Sequence, residues 1–269
     1  MNYTLCFLFF LFCSNLSLTQ EQFEWVKGVD YKIDSLSKWK ADGLGNVYVF
    51  KNNVINKYDS LGVFKFSESQ KNVGSIKDVL PVNAMKVLLF SEEQQMICSS
   101  DNTLTNYSGC IDLSSLDIEY ATMVSSSSQP DKFWVFDQIN YDLVLYSLLG
   151  TQSQKITNIK RTIGFNSIEY LKEHENKLFI YDKTIGLYLF DIYGSVINFY
   201  PILGATSIAV SNNLVLFQFE NSMLIWDFKT NKELTLPLPI VGVKEIQKQE
   251  DVYYLQSKNK IYKYRLVLN

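Results

Sequence analysis

"NVYVFKNNVINKYDSLG" (residues 46–62) packs two short runs of β-forming residues and two turns into one stretch. "VYVF" and "VINKY" are rich in Val, Ile, Tyr and Phe, as strands prefer. "KNN" joins them as a hairpin, and "DSLG" turns the chain again before "VFKFSE". An Asp opens such a turn because its side chain accepts from backbone N–H groups just ahead of it. A Gly closes it because the chain needs φ > 0 there.

The same grammar recurs downstream. "KVLLF" begins at Lys86, "KFWVF" at Lys132, "KLFIY" at Lys177, "NLVLF" at Asn213 and "DVYYL" at Asp251. With Val47, Val87, Phe133, Leu178, Leu214 and Val252 as anchors, the units follow one another at 36–46 residues. That is close to the spacing of four-stranded propeller blades. A second set of anchors, Ile55, Ile97, Leu143, Leu187, Leu224 and Ile261, lies 8–10 residues after the first. A short hairpin fixes the distance between its strands, so a repeated hairpin repeats that distance. The closing turn returns in "LYSLLG" to Gly150 and "LFDIYG" to Gly194, and one residue longer in "IWDFKTN" to Asn231. Blade two departs, with "SSDNTL" in that place.

These repeats predict an all-β fold: a six-bladed β-propeller of four-stranded antiparallel blades over residues 20–269. Five or seven blades are the alternatives. The last unit supplies three strands, and "FEWVKGV" (residues 23–29) is a spare strand that would complete it and close the ring. "SIEYLKEHEN" (residues 167–176) competes as a helix, but every other unit has an inner strand there, so a strand is expected.

Upstream, "TLCFLFFLFC" (residues 4–13) is an apolar run too short to span a bilayer as a helix, and polar sequence follows at once. This is the pattern of a cleavable signal peptide, with Ser17 and Thr19 placed for a cut after residue 19. A lipoprotein cysteine at Cys13 ranks second, because Phe12 before it is bulky. No membrane span is expected after cleavage, and the expected location is the periplasm or the periplasmic side of the outer membrane. Cys98 and Cys110 then remain. An oxidising compartment would permit a disulfide, yet two cysteines form no framework, and buried free thiols are the expectation.

The chain carries a net charge of −3, and its only arginines are Arg161 and Arg265. Nucleic-acid binding is excluded on that basis, since such proteins use basic faces and Arg-to-base contacts. Catalytic constellations are missing too. His174, the single histidine, lies in "EHE" with its neighbours on the opposite strand face, which is poor metal-ligand spacing. It is expected on a solvated loop or strand edge. With one His and no G-x-S-x-G, serine or cysteine nucleophile chemistry has no base, and "SSSS" (residues 125–128) is taken as a polar stretch. Asp59, Asp191 and Asp227 are expected to cap turns on one rim, and Asp137 and Asp182 to sit in hairpins. No catalytic residue, metal ligand or cofactor is assigned. Asn106 opens an "NYS" sequon, which matters only in a eukaryotic source. Trp25, Trp39, Trp134 and Trp226 fall in strands and are expected mainly in the core. "FWVFDQINYD" is the best candidate for a protein-binding hairpin, with Trp134, Ile139 and Tyr141 as its contact residues.

"GNVYVFKNNVINKYDSLG" resembles blades of the NHL and TolB-like propellers. The stretches "NAMKVLLFSEEQQMICSSDNTLTNYSGCIDLSSL", "DKFWVFDQINYDLVLYS" and "NKLFIYDKTIGLYLFDIYG" resemble a family of exported propellers from Bacteroidetes-type bacteria. The likeness covers about residues 25–265, and the chain is similar to the plug subunit associated with the type IX secretion translocon. The export signal, the six repeats and the lack of a catalytic constellation lead to the expectation of a non-enzymatic protein with an envelope or outer-membrane protein partner, and the resemblance agrees with it. The resemblance carries over no catalytic residue, because the matching motifs are turns and strands. The competing expectation is a central-channel enzyme of lactonase type, or a small-ligand or carbohydrate binder.

Overall fold

The structure is a computed structural model that describes residues 23–105 and 107–268. Six four-stranded antiparallel sheets follow one another along the chain, at 38–69, 78–112, 121–156, 170–200, 207–237 and 243–268. In the first five, strand order is sequence order from the axis outward. The sixth takes its outer strand, Phe23–Lys32, from the beginning of the described chain. That strand pairs antiparallel with Lys260–Leu268, from Phe23 opposite Leu268 to Lys32 opposite Lys260. The molecule is a six-bladed β-propeller, closed as the sequence predicts.

The two sets of anchors explain why the repeat is regular. In five blades the second anchor faces the residue three places after the first, in Phe50–Ile55, Phe90–Ile97, Phe136–Leu143, Tyr181–Leu187 and Phe217–Leu224, and in the sixth the residue four places after it, in Gln256–Ile261. Side chains on both faces of these middle strands are buried, because each blade is covered by a neighbour on either side. The core accordingly divides into six apolar clusters, one per blade interface. Trp134 fills the interface of blades three and four, Trp226 that of four and five, and Trp39 that of six and one. Trp25 packs edge-on against Tyr253 and Tyr264 in the closing blade.

Two expectations are corrected. Cys98 and Cys110 are a disulfide, not free thiols. They face each other across the third and outer strands of blade two, with Cα atoms 4.0 Å apart. A bridge closing so short a loop contributes about 3 kcal/mol by restricting the unfolded chain. Blade two also keeps the closing turn: the Asp101 carboxylate accepts from Thr103 N and Thr105 N, at 3.1 and 3.2 Å. Leu104 occupies the glycine position there with φ 63°. Its side chain is fully buried among Phe50, Ile55 and Val73, and that packing offsets the backbone strain. Finally, a short helix, Ile159–Ile163, fills the junction of blades three and four under an Asn158 cap. Residues 170–174 form a strand, as predicted. The proposed leader and Asn106 lie outside the described residues.

Candidate functional site

The propeller's topology sorts its turns onto two faces. In an antiparallel blade the turn from inner to second strand and the turn from third to outer strand emerge on the same side. Hairpins between the middle strands emerge on the other.

On the first face one turn geometry dominates. Asp59 Oδ1 accepts from Leu61 N and Val63 N, both at 2.9 Å, and Asp191 Oδ1 accepts from Tyr193 N and Ser195 N at 2.9 and 2.8 Å. Asp42 does the same for Leu44 and Asn46, and Ser147 Oγ for Leu149 and Thr151. Asn83 holds Met85 N at 2.8 Å, and Asp227 holds Lys229 N at 2.9 Å. Backbone donors hold the carboxyls of Asp191 and Asp227 below the usual range, and Lys65 does so first for Asp59. Asp59, Asp191 and Asp227 cap turns between third and outer strands, on the periphery as the sequence suggests, whereas Asp42 caps a turn at the mouth of the central channel.

Sequence reasoning missed the consequence for the residue at the tip. Its N–H points inward to the cap, so its side chain points to solvent. In five turns that residue is large and apolar: Leu44, Leu61, Met85, Leu149 and Tyr193, exposed by 58, 72, 72, 92 and 73%. They belong to blades one to four and share one face of the disc. The signal was present in the sequence as an apolar residue two places after the capping Asp, Asn or Ser. Apolar side chains also stand out on the opposite face, Leu36, Ile139, Leu203 and Val241 among them. Those lie in loops of unlike construction.

The hairpin chosen from sequence lies on that opposite face, and its three residues do not act together. Trp134 is fully buried and is corrected to a core residue: its Nε1–H donates to Glu173 Oε2 at 3.1 Å. Tyr141 is half-buried against Phe165, with Lys160 Nζ 4.5 Å from its ring centroid. Ile139 alone is well exposed, at 61%. Asp137 takes N–H bonds from Glu119, Tyr120 and Ile139, and Asp182 from Asn166, Ser167 and Thr184. Both are hairpin residues that also tie down the incoming loop.

"EHE" and "SSSS" find each other. The buried Glu173 carboxylate of blade four accepts from the hydroxyls of Ser127 and Ser128 of blade three, and from Ser128 N at 3.1 Å. His174 ends its strand, as expected, and is only partly solvated: its half-buried ring donates from Nε2 to Asn212 O of blade five at 2.8 Å. Glu175 turns away and pairs with Lys229 at 3.1 Å. The tripeptide is a clamp across three blades, not a metal site. Burial pushes the His174 imidazole below its ordinary pKa, with the Asn212 bond opposing. A depressed folded-state pKa means a stabilising contribution that is complete above the unfolded value of about 6.5 and lost as pH falls through the folded one. Urea unfolding should therefore show lower stability at pH 5 than at pH 7.5, and His174→Gln should flatten that difference. The chain has one histidine, so its NMR titration is unambiguous, with a midpoint expected below 6.5.

A channel of about 1050 Å³ runs along the axis between the inner strands. Two of its acids, Asp78 and Glu245, stand beside Lys40: Lys40 Nζ lies 3.3 Å from Asp78, and Glu245 accepts from Gln247 Nε2 at 2.9 Å. Among the described residues no three His, Cys, Asp or Glu side chains are grouped to hold a metal ion. A cation in this channel would meet the ammonium groups of Lys40 and Lys172, so the donor set does not suit a lactonase-type metal. Among the same residues no helix is long and apolar enough to cross a membrane.

Comparison with solved structures gives the same fold. The chain is similar to the WD40 domain of Neurospora crassa Pan2, with 8% identity over 90% of this chain and 95% of that one and a TM-score of 0.60. It is similar to streptogramin B lyase, with 13% identity, 92% and 98% coverage and a TM-score of 0.59. It also matches a chain of the mitotic checkpoint complex, with 8% identity, 98% and 99% coverage and a TM-score of 0.61. At these identities the likeness shows the propeller fold and nothing finer. No family model matches the chain, and no curated protein matches its sequence. The specific resemblance to exported Bacteroidetes-type propellers is thus without support from those comparisons.

Proposed function

We propose that this chain is a non-enzymatic propeller that binds another protein in the bacterial cell envelope, as a subunit of an outer-membrane or secretion-associated complex on its periplasmic side. The observation that carries this is the face of apolar turn tips. Five large apolar side chains are held out to solvent by the cap that orders each turn, on a rigid ring. Single exposed apolar residues are ordinary, whereas a shared face of them marks a binding surface. The Cys98–Cys110 disulfide supports an oxidising compartment, and the leader-like residues 1–19 point the same way. The likeness of the blades to exported propellers agrees with both. Two of the solved structures are a WD40 domain and a chain of a multiprotein complex, a use of the fold that agrees with this reading.

Tagged protein extracted from envelopes in mild detergent should purify with a partner in fixed ratio. Leu149→Asp together with Tyr193→Asp should lose that partner while the melting temperature stays within about 2 °C, since both side chains are exposed. A monomer without partner would overturn the proposal.

A further inference from the structure

The channel differs in charge from the molecule around it. The protein carries a net charge of −3, yet seven lysines and four carboxylates line the channel. Lys40 of blade one is held by Asp78 of blade two, with Glu245 of blade six on its other flank. Lys172 comes from blade four, across the ring. Its Nζ lies 3.4 Å from Ser126 Oγ, and among the described residues it makes no ion pair. Lys183 and Lys244 likewise make none and stand at the mouth on the face opposite the turn tips. A walled passage with an excess of one sign concentrates the field along its axis and raises the local concentration of counter-ions.

At the deep end burial weakens both signs of charge. Burial pushes the Lys172 ammonium below its ordinary pKa, and the facing Lys40 adds to that. Burial pushes the Glu245 carboxyl up, which weakens the negative side of the group. Asp78 and Glu173 offset this only in part, and an anion beside Lys172 would favour its charged form further. The channel volume is that of a small-molecule site. Lysine offers a compact point charge, suited to a phosphate or carboxylate without the forked geometry of arginine.

We propose that the central channel is a binding site for a small polyanion, seated against Lys172 and Ser126 and drawn in past Lys183 and Lys244, with phosphate or carboxylate groups as the recognised chemistry. Lys172, Ser126, Lys183 and Lys244 are not turn tips of the apolar face, and the proposal does not depend on the protein-binding reading.

Titration calorimetry at low ionic strength, with pyrophosphate and citrate as separate probes, tests it. Saturable one-site binding of at least one probe is expected, weakening as salt is raised. Binding of pyrophosphate alone assigns a phosphorylated ligand, binding of citrate alone a polycarboxylate, and binding of both the shared chemistry. Lys172→Met should weaken the bound probe at least tenfold, and Lys244→Met a few-fold. If Lys172→Met does not fold, the double variant Lys183→Met with Lys244→Met carries the test, with a tenfold loss expected. The proposal is overturned if neither probe saturates, or if the folded lysine variants bind as tightly as the parent.

Discussion

A chain lacking residues 23–32 should fail to form a stable propeller, giving an aggregated or protease-sensitive product in place of a cooperative unfolding transition. The strand they form is the outer edge of blade six, and nearly all of it pairs with Lys260–Leu268. Removing it would expose a nine-residue strand with free N–H and C=O groups, a template for pairing with other chains. Tyr31, 1% exposed, would leave the interface of blades six and one, and the Trp25 Nε1–H bond to Pro237 O would be lost. Loss of Tyr31 alone removes about 3–5 kcal/mol, a large part of the whole stability of a domain. Circular dichroism and limited proteolysis of the truncated chain read the outcome. A soluble product with the parent melting temperature would show that the ring does not need this closure.

Glu173→Ala should lower stability by about 4 kcal/mol, or roughly 10 °C in melting temperature. Its carboxylate, 2% exposed, joins two serine hydroxyls, one backbone N–H and the Trp134 indole N–H across the interface of blades three and four. Truncation leaves the buried Trp134 indole N–H without a partner, at about 1–3 kcal/mol, and removes the charged acceptor of Ser127 and Ser128 at the edge of the interface. Glu173→Gln keeps the shape and one acceptor oxygen, so about half the loss is expected. Denaturant midpoints for the parent and both variants measure this. An alanine variant within 1 kcal/mol of the parent would mean the clamp is replaced by water at no cost.

Much of this architecture is written in local pattern. The paired anchors, Val47 with Ile55 and their five counterparts, reflect hairpin register, and register is fixed by residues close together in sequence. What depends on contact between distant segments was harder to see. "SSSS" and "EHE" read as polar filler and a failed metal motif until blade four is laid against blade three. Cys98 and Cys110 sit in an ordinary spacing, and only the pairing of the third and outer strands brings them face to face. Leu104 breaks the glycine rule of the closing turn because burial compensates a conformation its sequence does not advertise. Trp134 and Tyr141 were chosen for residue type, yet the neighbouring blade and Phe165 cover them. The turn tips lay in plain sight. Their capping acids order each turn, and the side chains between Asp and Gly face outward because the cap works.

The account rests on the apolar face as the surface that meets a partner. Photo-crosslinking residues placed singly at positions 149, 193 and 139 in the expressing cell compare the two faces directly. The account predicts one discrete adduct of common size from 149 and 193 and none from 139. An adduct from 139 alone, or no adduct from either tip, would contradict it.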